Sequence, residues 1–396
     1  MEWTPRPLRH FLDAQFRFNS AFELVPLDLL SPREREMLSS LHSVPDFFAI
    51  LRPVQPGLAL KSACRDTALL LNKLQVPGPI PRDIRQLLGM RCGATIAKLV
   101  LDRVLEIEGG SGFVSGFSAQ SVLFEDVGQA GARPLSPVTI AALRYAQALK
   151  LSDTIALSAR LYTYNRLPVS PAWRKRLPSE AAVLSLLEIE PGGRNQKILQ
   201  RSWSYYPSKP NQPGWLFWQS ASKHKIGEPR QAYKLYVSPM VQGLPEAFHA
   251  ILERATETGA RALKVGKDIY GLLRPDKLVI YYSSWQEIEH AAQRMKPFLC
   301  GLPGHTVPFT AALDSEGLLS WGMDPPRREQ LVPWQGPSWR SWLTDRLAMA
   351  LISGNGESLG SLEPWQLALD RISLENIDVT TWAPSADLWD TSSGNN

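Results

Sequence analysis

Between Tyr233 and Leu299 the apolar residues switch repeatedly between two periods, and nothing else in the chain restricts its fold as tightly. "AYKLYVS" (232–238) alternates like a strand. "GLPEAFHAILERATETG" (243–259) puts Leu244, Phe248, Ile251, Leu252 and Ala255 on one helical face, and Gly259 stops it. "RALKVG" (261–266) and "KLVIYYSS" (277–284) read as two more strands. Ser284 with Glu287 has the spacing of a capping box for a helix over "WQEIEHAAQRM". The order strand, helix, strand, strand, helix indicates an α+β domain.

The N-terminal part has a different plan. Ser31 and Pro32 open a helix, "SPREREMLSSL". A strand at "GLALKSA", helices at "RDTALLLNKL" and "PRDIRQLLG", and a longer helix in "GATIAKLVLDRVLEIE" follow. That last helix runs into a strand, and a glycine turn at "GGSGFVSG" returns the chain. Helix, short helix, helix and β-wing describe a winged-helix-like unit, a module that often docks an extended partner. "SPVTIAALRYAQAL", "SDTIALSARLYTYN" and "SPAWRKRLPSEAAVLSLLEI" continue as helices, the first two with serine caps and the third broken at Pro178. "PGGRNQ" (191–196) marks a boundary. The expected organisation is a winged-helix-like unit at 1–130, a helical connector at 131–196, an α+β domain at 197–355 and a peripheral, partly loose tail at 356–396.

Several chemistries are excluded by what is missing. Cys64, Cys92 and Cys300 are far apart and odd in number, so they read as reduced cytosolic thiols and not as a disulfide frame. The six histidines form no HExxH pair, so no metal is expected. No Walker A loop, GxGxxG or GxSxG motif is present, so no cofactor is expected. The N-terminus lacks the pattern of a signal peptide, and no apolar run is long enough to cross a membrane, so a cytoplasmic protein is expected. A net charge of +5 permits a phosphorylated or polyanionic partner. The helix that would read DNA in a winged helix carries few basic residues, so nucleic acid is not the expected partner.

The same strands that define the fold carry too many cations for a neutral core. "KVGKDIYGLLRPDKLVIYY" contains Lys264, Lys267, Arg274 and Lys277. Lys234 and Tyr236 are two apart and share a strand face. Arg340 and Arg346 lie six apart on a later helix, so at most one of them reaches the same place. A buried cation cluster is costly unless a dianion occupies it. Phosphate suits such a cluster, because arginine offers a bidentate fork and lysine a point charge. Clustered, half-buried lysines also lose basicity, and a partly neutral lysine can act as a base. Against this stands the bland reading: Lys267 and Lys277 as solvated edge charges, Arg274-Pro275-Asp276 as a turn with an internal ion pair, and Lys223, His224 and Lys225 as a solvated loop.

"KLYVSP", followed one helix later by "ALKVGKDIYGLLRPDKLVIYY" and then by "PFTAAL", resembles the Hop-A-type type III effector family over roughly residues 230–350. Members of that family serve as lyase subunits in class V lanthipeptide and thioamitide biosynthesis. The layout is similar, more remotely, to the effector phosphothreonine lyases. The resemblance implies a C-terminal lyase-like domain that removes phosphate from phosphoserine or phosphothreonine by β-elimination, leaving dehydroalanine or dehydrobutyrine. By position it makes Lys264 the base and lets Arg274 with Arg340 or Arg346 hold the phosphate. It lets Lys234 assist at the phosphate or the carbonyl, and Asp276 orient a cation. Tyr236 stands where the effector lyases have a histidine acid, which leaves the acid open, with His305 in "GLPGHTVPF" as a substitute and Tyr282 as a supporting group. The N-terminal unit similarly resembles the leader-peptide recognition units of peptide-modifying enzymes. The implied partners are a phosphorylated precursor peptide, a separate kinase subunit and, where rings are closed, a cyclase. An inactive leader-binding scaffold and a secreted effector acting on host phosphoproteins are the alternatives.

Overall fold

The computed structural model describes residues 6–41, 46–125, 135–206, 214–221, 233–323, 338–354 and 362–384. The cations at 223–225 therefore lie outside the described residues. The fold is α+β. Its centre is a seven-stranded antiparallel sheet in the order Ala311–Ala312, Leu319–Met323, Tyr233–Val237, Leu278–Tyr282, Ala262–Gly266, Trp215–Ser220, Trp203–Tyr206.

The register of the sheet decides what each face carries. Lys264 pairs with Val279 and Phe217, and Val279 pairs in turn with Tyr236. One step along, Tyr281 pairs with Ala262 and Lys234. Paired residues share a face, so Lys234, Tyr236, Lys264 and Tyr281 project together. The opposite face presents Leu235, Leu263, Val265, Ile280 and Tyr282, all buried in one apolar core. The helices Leu244–Glu257 and Trp285–Leu299 cover that core with Phe248, Ile251, Leu252, Ile288 and Met295. Ser284 caps the second helix at the Glu287 amide, but the Glu287 carboxylate accepts from the Ser283 amide, so the expected box closes one residue early.

The N-terminal elements occupy the positions that their spacing predicts. Helices Arg65–Lys73, Arg82–Leu88 and Cys92–Leu101 precede the hairpin Leu105–Gly109 and Gly112–Val114. Gly89 follows the short helix at φ 53°, a conformation that side-chain-bearing residues rarely adopt. The strand Lys61–Ala63 joins Ala49–Pro53 and Phe22–Pro26 in a separate sheet. Serine capping of the next two helices is corrected. Ser136 makes no capping bond to Pro137–Ala148, and Asp153, not Ser152, caps Thr154–Tyr162 through the Ile155 and Ala156 amides.

A third core joins distant segments. Helix Trp339–Ser353 packs against Thr154–Tyr162 and against Pro364–Ser373. Trp339, Leu343, Leu347, Trp365, Leu369 and Trp382 are buried in it. The expectation of a peripheral tail is corrected for its described part: "PWQLALDRIS" is an apolar-faced helix with nowhere cheaper to go than the core. Its buried Asp370 holds Arg6 through two side-chain bonds of 2.7 and 2.9 Å.

Candidate active site

Shared aromatic rings tie together the side chains on the cation face of the sheet. The Lys234 and Lys264 ammonium groups both stand 5.7 Å from the Tyr281 ring centroid. Lys264 is also 4.4 Å from the Trp215 ring, and Arg274 lies 5.1 Å from that same ring. Aromatic faces attract cations, so each ring holds two positive groups in register. Lys264, Arg274 and Tyr281 are half-buried, while Lys234 and Tyr236 are buried.

Asp276 orders the arginines. Arg274 forks onto both of its oxygens, Nε to Oδ1 at 2.7 Å and Nη2 to Oδ2 at 2.8 Å. Arg340 Nη1 reaches Oδ2 at 2.8 Å. Burial alone would raise the Asp276 carboxyl, but Arg274, Arg340 and Lys264 hold it far below the usual carboxylate range. The same pairing outweighs burial at Arg274 and raises its guanidinium above the ordinary arginine value. The two arginines are not equivalent. Arg340 is 1% exposed and spends Nε on the Pro308 carbonyl, Nη1 on Asp276 and Nη2 on the Tyr162 carbonyl. Arg274 keeps Nη1 without a hydrogen bond among the described residues and remains half-buried at the edge of the cluster.

Tyr162 joins this cluster without any signal in the sequence around it. Its hydroxyl accepts from Arg274 Nη2 at 3.0 Å, and its ring lies under the guanidinium groups of both Arg274 and Arg340. Burial and Asp276 push the phenol up. Arg274, Arg340 and a hydrogen bond with Ser338 outweigh them and hold it below the usual tyrosine range. Arg166, exposed nearby, is lowered first by burial and then by Arg274. Both come from the helix Thr154–Tyr162 and the turn after it, remote in sequence from the strands.

The expectations for Tyr282 and His305 change on this geometry, and the alternative between Arg340 and Arg346 closes on Arg340. Tyr282 points into the apolar core, where its hydroxyl lies 3.0 Å from Thr258 Oγ1; burial pushes its phenol well above the usual tyrosine range, and Tyr281 takes the place on the cation face. Arg346 turns away to Glu375 at 2.7 Å, because six positions carry it to another side of its helix. His305 is buried with both ring nitrogens engaged: Nε2 is 2.6 Å from the Asn165 carbonyl and Nδ1 is 2.9 Å from Lys277 Nζ. Burial first, and Lys277 second, lower it to about 4. A neutral imidazole bonded at both ends joins loops, and its one N–H proton is committed to the Asn165 carbonyl and not to a leaving group.

Lys277 is likewise no solvated edge charge. It is fully buried, donates to the Pro239 carbonyl at 2.8 Å, and is lowered to about 7 by burial, with Asp276 opposing. Tyr236 packs against Val279, Val307 and Tyr281. Its ring lies against Gly322 on the neighbouring strand, where a Cβ would stand 3.4 Å from Tyr236 Cε2, an ordinary packing distance. Among the described residues, no group of three or more histidine, cysteine, aspartate or glutamate side chains is arranged to hold a metal ion, and no helix is long and apolar enough to cross a membrane.

No protein-family model matches the chain, and no curated protein matches it. Among solved structures it overlaps an effector protein from Pseudomonas syringae pv. tomato strain DC3000 at 14% identity and TM-score 0.38, over 62% of this chain and 97% of that one. An effector protein from Pseudomonas syringae pv. syringae strain 61 gives 14% and 0.39, over 64% and 100%. The type III effector and phosphothreonine lyase OspF from Shigella flexneri gives 10% and 0.27, over 36% and 88%. Similarity of this size decides neither fold nor function.

Proposed function

We propose that the cation face eliminates phosphate from phosphoserine or phosphothreonine in a ribosomally made precursor peptide. The carrying observation is the convergence of Lys234, Lys264 and Arg274 on the shared rings of Tyr281 and Trp215, with Asp276 fixing the Arg274 fork. In this reading Arg274 and Lys234 hold the phosphate dianion, as charge-assisted donors do. The Lys264 amine takes the Cα proton. The Cα–H electron pair becomes the second bond between Cα and Cβ, the Cβ–O bond breaks, and phosphate leaves with the Cβ–O electron pair. Arg340 supports from beneath through Asp276. Tyr162, on Arg274, and Tyr236 are the phenols available to the leaving oxygen. A separate kinase places the phosphate, and a cyclase consumes the dehydro residue. The N-terminal unit holds the leader, which raises the local concentration of the core peptide.

The test is incubation of the protein with a phosphorylated Ser/Thr peptide carrying its leader, followed by mass spectrometry. The expected result is loss of one phosphoric acid per site, absent in Lys264→Ala. Peptide that binds but keeps its phosphate would favour the inactive scaffold. Elimination from a host-type phosphoprotein but from no leader peptide would favour the effector reading.

A further inference from the structure

A second cation cluster lies away from the strand face, where the N-terminal unit meets the C-terminal helices. Strand Lys61–Ala63 and helix Cys92–Leu101 border one side, and helices Trp339–Ser353 and Pro364–Ser373 the other. Between them is a cavity of about 310 Å³. Small-molecule sites occupy roughly 300–1,000 Å³, so a compact ligand fits.

Lys61, Lys98, Arg346 and Arg371 line the cavity, against Asp102 and Glu375. One carboxylate serves three of these cations: Glu375 lies 3.8 Å from Lys98, 2.7 Å from Arg346 and 2.8 Å from Arg371. Burial would raise Glu375, but Lys98, Arg371 and Arg346 together hold it below the usual range. Lys98 is lowered, first by burial and also by Arg371 and Arg346, with Glu375 opposing. Arg371 also bonds Asp102 through Nη2 at 3.0 Å, so four half-buried cations face two acids, and that positive excess is what a ligand anion relieves. The rest of the wall is apolar, with Leu101, Phe117, Met349 and Leu367.

An independent observation also asks for a ligand. Gln120 lines the cavity, 6% exposed, and its Oε1 accepts from Arg6 at 2.5 Å. Its Nε2 is buried without an acceptor among the described residues. Buried amide donors are rarely left unsatisfied.

We infer that this cavity is a binding site for a small organic anion, a carboxylate or phosphate head on an apolar body. The cations take the head, and Phe117, Met349 and Leu367 take the body. Nothing in this inference depends on lyase chemistry at Lys264.

The probe is anilinonaphthalene sulfonate, an aromatic anion whose fluorescence rises in apolar sites. One saturable site per chain is expected. Naphthyl phosphate or naphthoate should displace the dye at least tenfold better than neutral naphthol, and the stronger of the two identifies the head. The Lys61 ammonium makes no hydrogen bond or ion pair among the described residues, so Lys61→Gln keeps the fold and should weaken dye binding about tenfold, the loss of one charge-assisted contact. Ser353→Trp, exposed at the same wall, should weaken it independently by bulk. Lys264→Ala should leave dye binding unchanged. Equal displacement by naphthol, indifference to both wall variants, loss of binding in Lys264→Ala, or no saturable binding would each overturn the assignment.

Discussion

Leu263 and Lys264 are adjacent on one strand and lie on opposite faces of the sheet. Leu263 is fully buried under the helices Leu244–Glu257 and Trp285–Leu299, whereas Lys264 lies over Trp215 and Tyr281. Tyr281 and Tyr282 repeat the contrast: the first is a platform for two ammoniums, and the second is a core residue tied to Thr258. One face is held by apolar area and tolerates no charge. The other is held by paired charge and by cations on rings. A one-residue slip would exchange them, so burial of the apolar face also fixes the geometry of the cations.

Substitutions and pH can separate the faces. The largest expected effect is from Asp276→Ala. It leaves Arg274 and the buried Arg340 without their carboxylate, and removal of one partner from a buried pair costs about 3–5 kcal/mol. Urea unfolding would show it, and an unchanged midpoint would mean that the cation face does not need its acid. Next comes acid sensitivity at His305. Its folded value, about 4, lies below the ordinary 6.5, so the unfolded chain binds the proton first. This contribution is complete above pH 6.5 and is lost as pH falls toward about 4, on the order of 3 kcal/mol. The readout is the difference between wild type and His305→Gln over that window, because Asp370, raised to about 6 by burial, pulls the other way. The smallest effect is on the apolar face. Tyr282→Phe removes only the contact to Thr258 and should cost about 1 kcal/mol, with elimination per folded molecule unchanged.

The sequence made the sheet legible because strand period and strand order are local. Once "AYKLYVS", "RALKVG" and "KLVIYYSS" are neighbours, Lys234, Tyr236 and Lys264 must share a face. Which tyrosine joined them depended on register, and that depends on pairing across the sheet. Tyr162 and Arg166 left no signal, since a helix in the connector reaches the strands only through the third core. The burial of Lys277 was hidden by its charge; its partners are backbone at Pro239 and a histidine in a distant loop. Helix Pro364–Ser373 did leave a signal, because "WQLALDRI" has helical apolar spacing, yet its place in the core is set by contacts with Trp339–Ser353.

The most direct measurement compares Leu263→Ala with Lys264→Ala, scoring phosphate loss per folded molecule alongside unfolding free energy. Lys264→Ala should lose about 10²–10⁴ in rate, the usual worth of a positioned base, with stability within about 1 kcal/mol. Leu263→Ala should lose about 2–5 kcal/mol of stability and keep its rate. Full activity in Lys264→Ala, or equal loss of rate in both, would show that the charged face is scaffold and not a catalyst.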